Sequence, residues 1–175
     1  VLIQGARRVG KSTVAEEFAT NEYDTHILVD FAACSSEIRD LFNDVSDLNR
    51  IFMRLQLEYG IELKERKSAI IFDEVQLAPK ARQAIKYLVK DGKYDYIETG
   101  SLISIRKNVK DILIPSEEVK VHMFPMDYEE FKWALGDTAT IKLLQSCFHN
   151  RTSLGDATNR KLMRDFRLYM LIGGM

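Results

Sequence analysis

The stretch Gly5-Ala6-Arg7-Arg8-Val9-Gly10-Lys11-Ser12 decides the fold, and only Gln4 separates it from the apolar run Val1-Leu2-Ile3. A glycine followed by four free positions and then by Gly-Lys-Ser is the pattern of a phosphate-binding loop. Glycines let backbone N–H groups approach a polyphosphate, and the helix that follows directs its positive dipole end at the same anion. We predict a nucleotide-binding loop that ends at Thr13, in which Lys11 contacts the β- and γ-phosphates and Ser12 binds Mg²⁺.

An ordinary glycine-containing turn is the alternative interpretation of this stretch, because a short motif also occurs by chance. The phosphate-binding interpretation requires a buried strand before the loop and a helix after it. The apolar run precedes it, and after Lys11 the residues Val14, Ala15, Phe18 and Ala19 recur at helical spacing. The surrounding sequence therefore favours phosphate binding over a simple turn.

Composition limits the class of protein. The chain has 175 residues, of which 46% are hydrophobic and 29% are charged, enough for one globular domain with a substantial core. The net charge of -1 does not give the basic field of a nucleic-acid-binding module. Two cysteines do not form a disulfide framework, and three scattered histidines lack the spacing of a metal site. The sequence shows no signal peptide and no apolar span long enough for a membrane anchor, so we expect a cytoplasmic protein.

A second chemical motif follows another apolar run. Ser68-Ala69-Ile70-Ile71-Phe72 predicts a buried strand, and it ends in Asp73-Glu74. In a nucleotide-binding α/β domain, we expect Asp73 to hold the Mg²⁺ shell and Glu74 to orient and deprotonate the attacking water. An exposed acidic pair at a strand end is the alternative, and the preceding phosphate loop makes it the weaker one.

Small hydroxyl residues follow a third strand. Tyr94-Asp95-Tyr96-Ile97-Glu98 predicts that strand, and Thr99-Gly100-Ser101 lies at its end. A hydroxyl at this position can sense the γ-phosphate or the catalytic water, although polar turn residues need no such role. The sequence does not distinguish Thr99 from Ser101.

The remaining pattern predicts strands that alternate with helices through residue 124, and therefore an α/β fold with a mostly parallel sheet covered on both faces. Ligands bind such sheets at the carboxyl ends of the strands, where Gly5, Asp73 and Thr99 all fall. We expect a core domain over residues 1–135, and over 136–175 a helical lid or the start of a truncated C-terminal domain. Further expected features are strands at residues 26–31 and 119–123, helix caps at Ser36 and Asp47, a helix that begins after Pro79 and closes at Asp91-Gly92, and a capping box at Asp127.

With these motifs in hand, the chain resembles the prokaryotic AAA-type ATPases that carry a C-terminal domain of unknown function. The resemblance rests on four stretches of sequence. They are Ala6-Arg7-Arg8-Val9 between the glycines of the phosphate loop, Asp73-Glu74-Val75-Gln76, residues 125–131, and the final Ile172-Gly173-Gly174-Met175. The last looks like the start of the link into a C-terminal half that this chain lacks. The resemblance implies a P-loop NTPase of three α/β/α layers with strand order 5-1-4-3-2, in which Lys11, Ser12, Asp73, Glu74 and Thr99 or Ser101 form the site.

The chain departs from that family at its arginines. Many such proteins carry an arginine before the fifth strand, but here the stretch reads Ile114-Pro115-Ser116-Glu117-Glu118. A charge-neutralising arginine is worth roughly 10³ to 10⁵ in turnover, so we predict slow hydrolysis by the isolated domain and self-association that supplies an arginine in trans. The other arginines considered are Arg7, Arg8, Arg106, Arg160, Arg164 and Arg167, and for each of them a solvated surface role is the more ordinary interpretation.

The leading hypothesis is an Mg²⁺-dependent ATPase domain whose cycle acts on an attached domain outside this sequence. The second hypothesis is an ATP-gated regulatory switch with negligible turnover. A small-molecule kinase must exclude water, and the water-activating Glu74 argues against it. No Asn-Lys-x-Asp motif for guanine occurs in the chain, which argues against a GTPase.

Overall fold

The computed structural model describes residues 1–101 and 118–173. The predictions at Arg106 and at residues 114–117 lie outside the described residues. The chain divides into two compact units, the first being Val1–Met123 and the second beginning at Phe124.

The first unit is built on a five-stranded parallel sheet with the strand order β2-β3-β4-β1-β5. Its strands are β1 (Leu2–Gly5), β2 (Thr25–Asp30), β3 (Ser68–Asp73), β4 (Asp95–Ser101) and β5 (Lys120–Met123). This order confirms the one that the resemblance implied. The phosphate-loop strand β1 lies between β4 and β5, and β4 separates it from the acidic strand β3.

Helices cover both faces of this sheet, so the three-layer α/β/α prediction is confirmed. The helices of the first unit are α1 (Lys11–Glu22), α2 (Ser36–Asp40), α3 (Leu48–Tyr59) and α4 (Pro79–Asp91). Short 3₁₀ turns lie at Leu41–Asn43 and Val75–Leu77.

Successive residues of a strand point to opposite faces, and the four central residues of β3 are apolar on both faces. Ala69 and Ile71 pack with Ala15 and Ala19 of α1, whereas Ile70 and Phe72 belong to the core on the opposite face. That opposite core also includes buried residues of α3 and α4. All six residues of β3 are buried, as expected for a parallel strand that is covered on both faces.

Helix ends follow the predicted chemistry with one correction. The cap of α2 is Ser35, not Ser36: its hydroxyl accepts a hydrogen bond from the Ile38 N–H at 3.3 Å, and its backbone is extended. Ser36 is already helical, so its side chain cannot take the capping position. Asp47 caps α3 as predicted by accepting from the Arg50 N–H at 3.1 Å. Helix α4 includes Pro79 as its first residue, where proline is tolerated because the first helical N–H has no partner within the helix.

The second unit is helical, with α5 (Tyr128–Ala134), α6 (Thr140–His149) and α7 (Asp156–Ile172). The predicted capping box is present at the start of α5, where Asp127 and Glu130 exchange hydrogen bonds. Rings of α5 and α7 contact one another, and Lys132 of α5 forms ion pairs with Asp137 at 2.9 Å and Asp165 at 3.1 Å.

Helix α5 therefore packs with the helices that follow it, and the division into compact units falls after Met123. The functional division at residue 135 stays a prediction. Within the ranges 1–101 and 118–173, no helix combines the length and the apolar character needed to cross a membrane.

Candidate nucleotide-binding site

The phosphate-loop motif starts at Gly5, the last residue of β1. This glycine pairs with Ser101 of β4 on one side and with Met123 of β5 on the other. A Cβ atom at Gly5 would lie 2.1 Å from the backbone oxygen of Met123, which is far inside van der Waals contact. Only glycine therefore fits where the loop leaves the sheet.

The loop ends at the start of α1, where Gly10 is the residue that precedes the helix. Its φ of 88° lies in the left-handed region, which glycine enters without strain. Arg8 also has a left-handed φ, of 64°, which an arginine adopts only at some cost. Because Gly10 has no side chain that could cap the helix, the first N–H groups of α1 keep their attraction for an anion.

Lys11 is the first residue of α1, and its side chain is only 5% exposed. Its ammonium group donates a hydrogen bond to the backbone oxygen of Ala6 at 2.6 Å, across the loop. A buried ammonium group needs such a partner. The structure thus holds the ammonium group of Lys11 against the loop.

Ser12 and Asp73 meet although 61 positions separate them in the chain. The Ser12 hydroxyl donates to Oδ1 of Asp73 at 2.7 Å. Hydroxyl and carboxylate oxygens are ligands that Mg²⁺ accepts, and Mg²⁺ usually takes one or two protein groups and completes its shell with phosphates and water. The pair therefore fits Mg²⁺. Within the described ranges no group of three or more His, Cys, Asp or Glu side chains forms an all-protein metal cage.

Thr99 connects the two acids at the end of β3. Its hydroxyl donates to Oδ1 of Asp73 and accepts a hydrogen bond from the Glu74 N–H at 3.3 Å. Ser101 is buried on the same face of β4, beside Gly5. The structure thus places the Thr99 hydroxyl against the Asp73 carboxylate and the Glu74 backbone, whereas Ser101 lies next to the start of the loop.

Glu74 follows β3 in a left-handed conformation with a φ of 52° and a ψ of 44°. Non-glycine residues adopt this region rarely, and it is often found at functional sites. The side-chain amide of Gln76 donates to Oε2 of Glu74. The sequence alone does not reveal this contact, although Gln76 belongs to the stretch Asp73-Glu74-Val75-Gln76 that carries the family resemblance.

The opposite face of β4 holds a group of buried charges that the sequence did not predict. Arg82 of α4 pairs with Glu118 at 3.1 Å, and their side chains are 3% and 2% exposed. Lys120 also contacts Glu118, at 3.4 Å. Glu98, which is 1% exposed, lies near this pair, and its Oε2 atom has no hydrogen-bond partner within the described part of the chain. Burial, and then repulsion from Glu118, raise the pKa of Glu98 to about 7, although Arg82 opposes the shift.

We expect the buried Glu98 to make stability depend on pH. The folded state raises its pKa from 4.5 to about 7, so the folded protein binds more protons than the unfolded chain between these values. Stability from this group is therefore greatest below pH 4.5 and falls as the pH rises through 7. Glutamine does not titrate, so Glu98→Gln should remove this loss. The free energy of unfolding should therefore fall by about 3 kcal/mol less between pH 5 and pH 8 in the variant than in the native protein.

Urea unfolding at pH 5 and pH 8 measures this difference. The matched control is Glu16→Gln on the exposed side of α1, which should leave the pH dependence unchanged. A Glu98→Gln protein with the same pH dependence as the native protein would contradict the expectation.

The arginines considered from the sequence are found in different places. Arg7 and Arg8 are exposed in the loop, and Arg106 lies outside the described residues. Arg160, Arg164 and Arg167 are exposed on α7, in the second unit. The charge-neutralising arginine thus stays unassigned.

Comparison with known proteins identifies the family of this chain. The model of a protein family described as an AAA domain matches residues 1–132, more than half of the chain. No curated protein matches. Among solved structures, this chain is similar to C. elegans PCH-2 with a TM-score of 0.39 and 13% sequence identity, and the similarity covers 80% of this chain and 40% of that one. On the family match, the chain belongs to the AAA domain family of ATPase-type nucleotide-binding proteins.

Proposed function

We propose that this chain binds ATP together with Mg²⁺ at the loop from Gly5 to Thr13 and hydrolyses it. The observation that carries the proposal is the hydrogen bond between Ser12 and Asp73, with Thr99 bound to the same carboxylate oxygen. It joins the loop, the acidic strand end and the hydroxyl strand end at one edge of the sheet. Phosphoryl transfer depends on positioning and on charge stabilisation, and these three parts supply both.

Each residue has a separate role in this proposal. The loop N–H groups and the Lys11 ammonium group bind the phosphates, and Ser12 and Asp73 hold Mg²⁺. When bound, Mg²⁺ neutralises charge on the phosphate oxygens. Glu74 accepts a proton from the attacking water.

We assign the sensor role to Thr99 in preference to Ser101, because its described hydrogen bonds join both acids. A hydroxyl that holds the Asp73 carboxylate and the Glu74 N–H together links the metal ligand to the residue that activates water.

We further propose that the cycle acts in the cytoplasm on a domain attached beyond this sequence, and that a second copy supplies the unassigned arginine in trans. Oligomerisation of the full-length protein that depends on ATP would support the second point, since an arginine from a neighbour requires contact between subunits. Sedimentation with and without ATP and Mg²⁺ measures it, and an unchanged monomer would oppose it.

An ATP-gated switch with negligible turnover is the second candidate function. The observation that favours it is that no arginine among the described residues is assigned to the phosphates, since Arg7, Arg8 and the three arginines of α7 are exposed side chains. Without an arginine against the transferred phosphoryl group, hydrolysis is slow. Phosphate release by the native protein at background, together with tight ATP binding, would favour the switch over the ATPase.

Lys11→Ala tests the binding site itself. The substitution removes both the charge and the donors of the ammonium group, and hydrogen bonds to charged groups contribute enough to affinity that we expect ATP binding to weaken on the order of 10- to 100-fold. Calorimetric titration with ATP and Mg²⁺ measures the change. Lys90→Ala, at an exposed position of α4, is the control and should bind ATP like the native protein. Equal affinities for Lys11→Ala and the native protein would remove the phosphate-loop assignment.

A further inference from the structure

The short turn after Glu74 directs a side chain back onto the catalytic acid. Val75–Leu77 form a 3₁₀ turn that starts directly after Glu74. The Leu77 N–H donates to the Glu74 carbonyl at 2.9 Å, and the Ala78 N–H donates to the Val75 carbonyl at 3.1 Å. In this tight turn, the amide of Gln76 reaches the carboxylate of Glu74 and donates to Oε2.

Glu74 is thereby held at two points. Its N–H is bound by the Thr99 hydroxyl, and its carboxylate is bound by the Gln76 amide. Gln76 is only 4% exposed, whereas Glu74 is partly exposed. A buried amide has little rotamer freedom, so it fixes the carboxylate that it contacts more firmly than an exposed partner would.

We propose that Gln76 is a positioning residue for Glu74, and this inference rests on the proposed hydrolysis of ATP. Gln76 occupies Oε2, so that Oε1 is the oxygen that accepts the proton from water. A general base works only when its oxygen is within hydrogen-bond reach of that proton. Gln76 restricts the orientations that the Glu74 carboxylate can adopt. It makes no contact with ATP in this proposal.

Gln76→Met tests this role because methionine has nearly the same length and volume but no amide donor. In the full chain we expect kcat to fall about 10-fold, the size expected for loss of one hydrogen bond to a charged group. The Kd for ATP should stay within about 2-fold, since Gln76 acts on the base and not on nucleotide binding. Phosphate release and ATP titration measure the two quantities.

Gln56→Met is the matched control. Gln56 also makes structural hydrogen bonds, donating to the Phe52 carbonyl at 3.3 Å and accepting from the Leu63 N–H at 2.8 Å. Its loss should lower stability while kcat per folded molecule stays unchanged. The control thus separates a loss of stability from a loss of positioning.

The double variant Glu74→Gln/Gln76→Met provides a readout that a merely structural role would not give. If Gln76 acts through Glu74, the double variant should release phosphate at the rate of Glu74→Gln alone. Independent roles would instead multiply the two losses.

The outcomes separate this inference from the function on which it depends. Absence of phosphate release by the native protein would overturn the proposed hydrolysis and this inference together. Normal release by the native protein, with an unchanged or faster rate in Gln76→Met or with multiplied losses in the double variant, would overturn only the role of Gln76.

Discussion

Replacing Glu74 with glutamine is expected to lower the rate of phosphate release by about 10²- to 10⁴-fold, the usual contribution of a general base. Glutamine keeps the shape of the side chain but cannot accept a proton at neutral pH. The contacts proposed for the phosphates come from the loop and Lys11, so ATP should still bind and should remain uncleaved. Single-turnover hydrolysis followed by separation of bound ATP from ADP measures both effects.

Glu62→Gln is the control for this experiment because Glu62 is exposed and lies away from the end of β3. It should hydrolyse ATP at the native rate. Equal rates for Glu74→Gln and the native protein would show that another group activates the water. Release at background by the native protein would instead favour the ATP-gated switch.

The fold could be predicted because its strongest signals are local. Short apolar runs that precede Gly5 and Asp73 identify two of the strands and the edge of the sheet at which these strands end. The strand order came from the family resemblance, since no local pattern states which strands are neighbours. The cap of α2 was placed one residue late because Ser35 and Ser36 are adjacent, and only the backbone angles decide which of them precedes the helix.

The sequence predicts that the phosphate loop and the two acids lie at the same edge of the sheet, and Ser12 contacts Asp73 there. Their action as one site stays a prediction. The choice between Thr99 and Ser101 could not be made, because residues two apart in a strand face the same side. Their pairing register and their contacts separate them only in three dimensions.

The contacts of Gln76 and Glu98 could not be predicted from the sequence, for different reasons. Gln76 reaches Glu74 across a short turn that begins at Glu74, whose left-handed conformation the sequence does not specify. Glu98 lies in a buried strand, and its charged neighbours Arg82 and Glu118 come from distant parts of the chain. Buried charges of this kind depend on tertiary structure and leave no periodic signal.

Replacing Gly5 with alanine is expected to destabilise the first unit by more than about 3 kcal/mol, at or beyond the upper end of the usual cost of overpacking. The new Cβ would lie 2.1 Å from the Met123 oxygen and 3.1 Å from the Met123 carbonyl carbon. Backbone atoms cannot rotate away as a side chain can, so β5 would have to separate from β1 at that point. Because the phosphate loop starts at Gly5, ATP affinity should fall in the same variant.

Gly60→Ala separates this steric cost from the conformational cost of replacing a glycine. Gly60 has a left-handed φ of 64° and no atom within 4 Å of an added Cβ. Alanine there should cost about 1–2 kcal/mol, which is the penalty for the left-handed conformation alone. Urea unfolding of both variants measures the two costs. If Gly5→Ala costs no more than Gly60→Ala, the strands β1 and β5 must separate easily at Gly5, and the loop is not fixed to the sheet by their close approach. A Gly5→Ala protein that fails to fold, beside a folded Gly60→Ala protein, would agree with the expected order of the two costs.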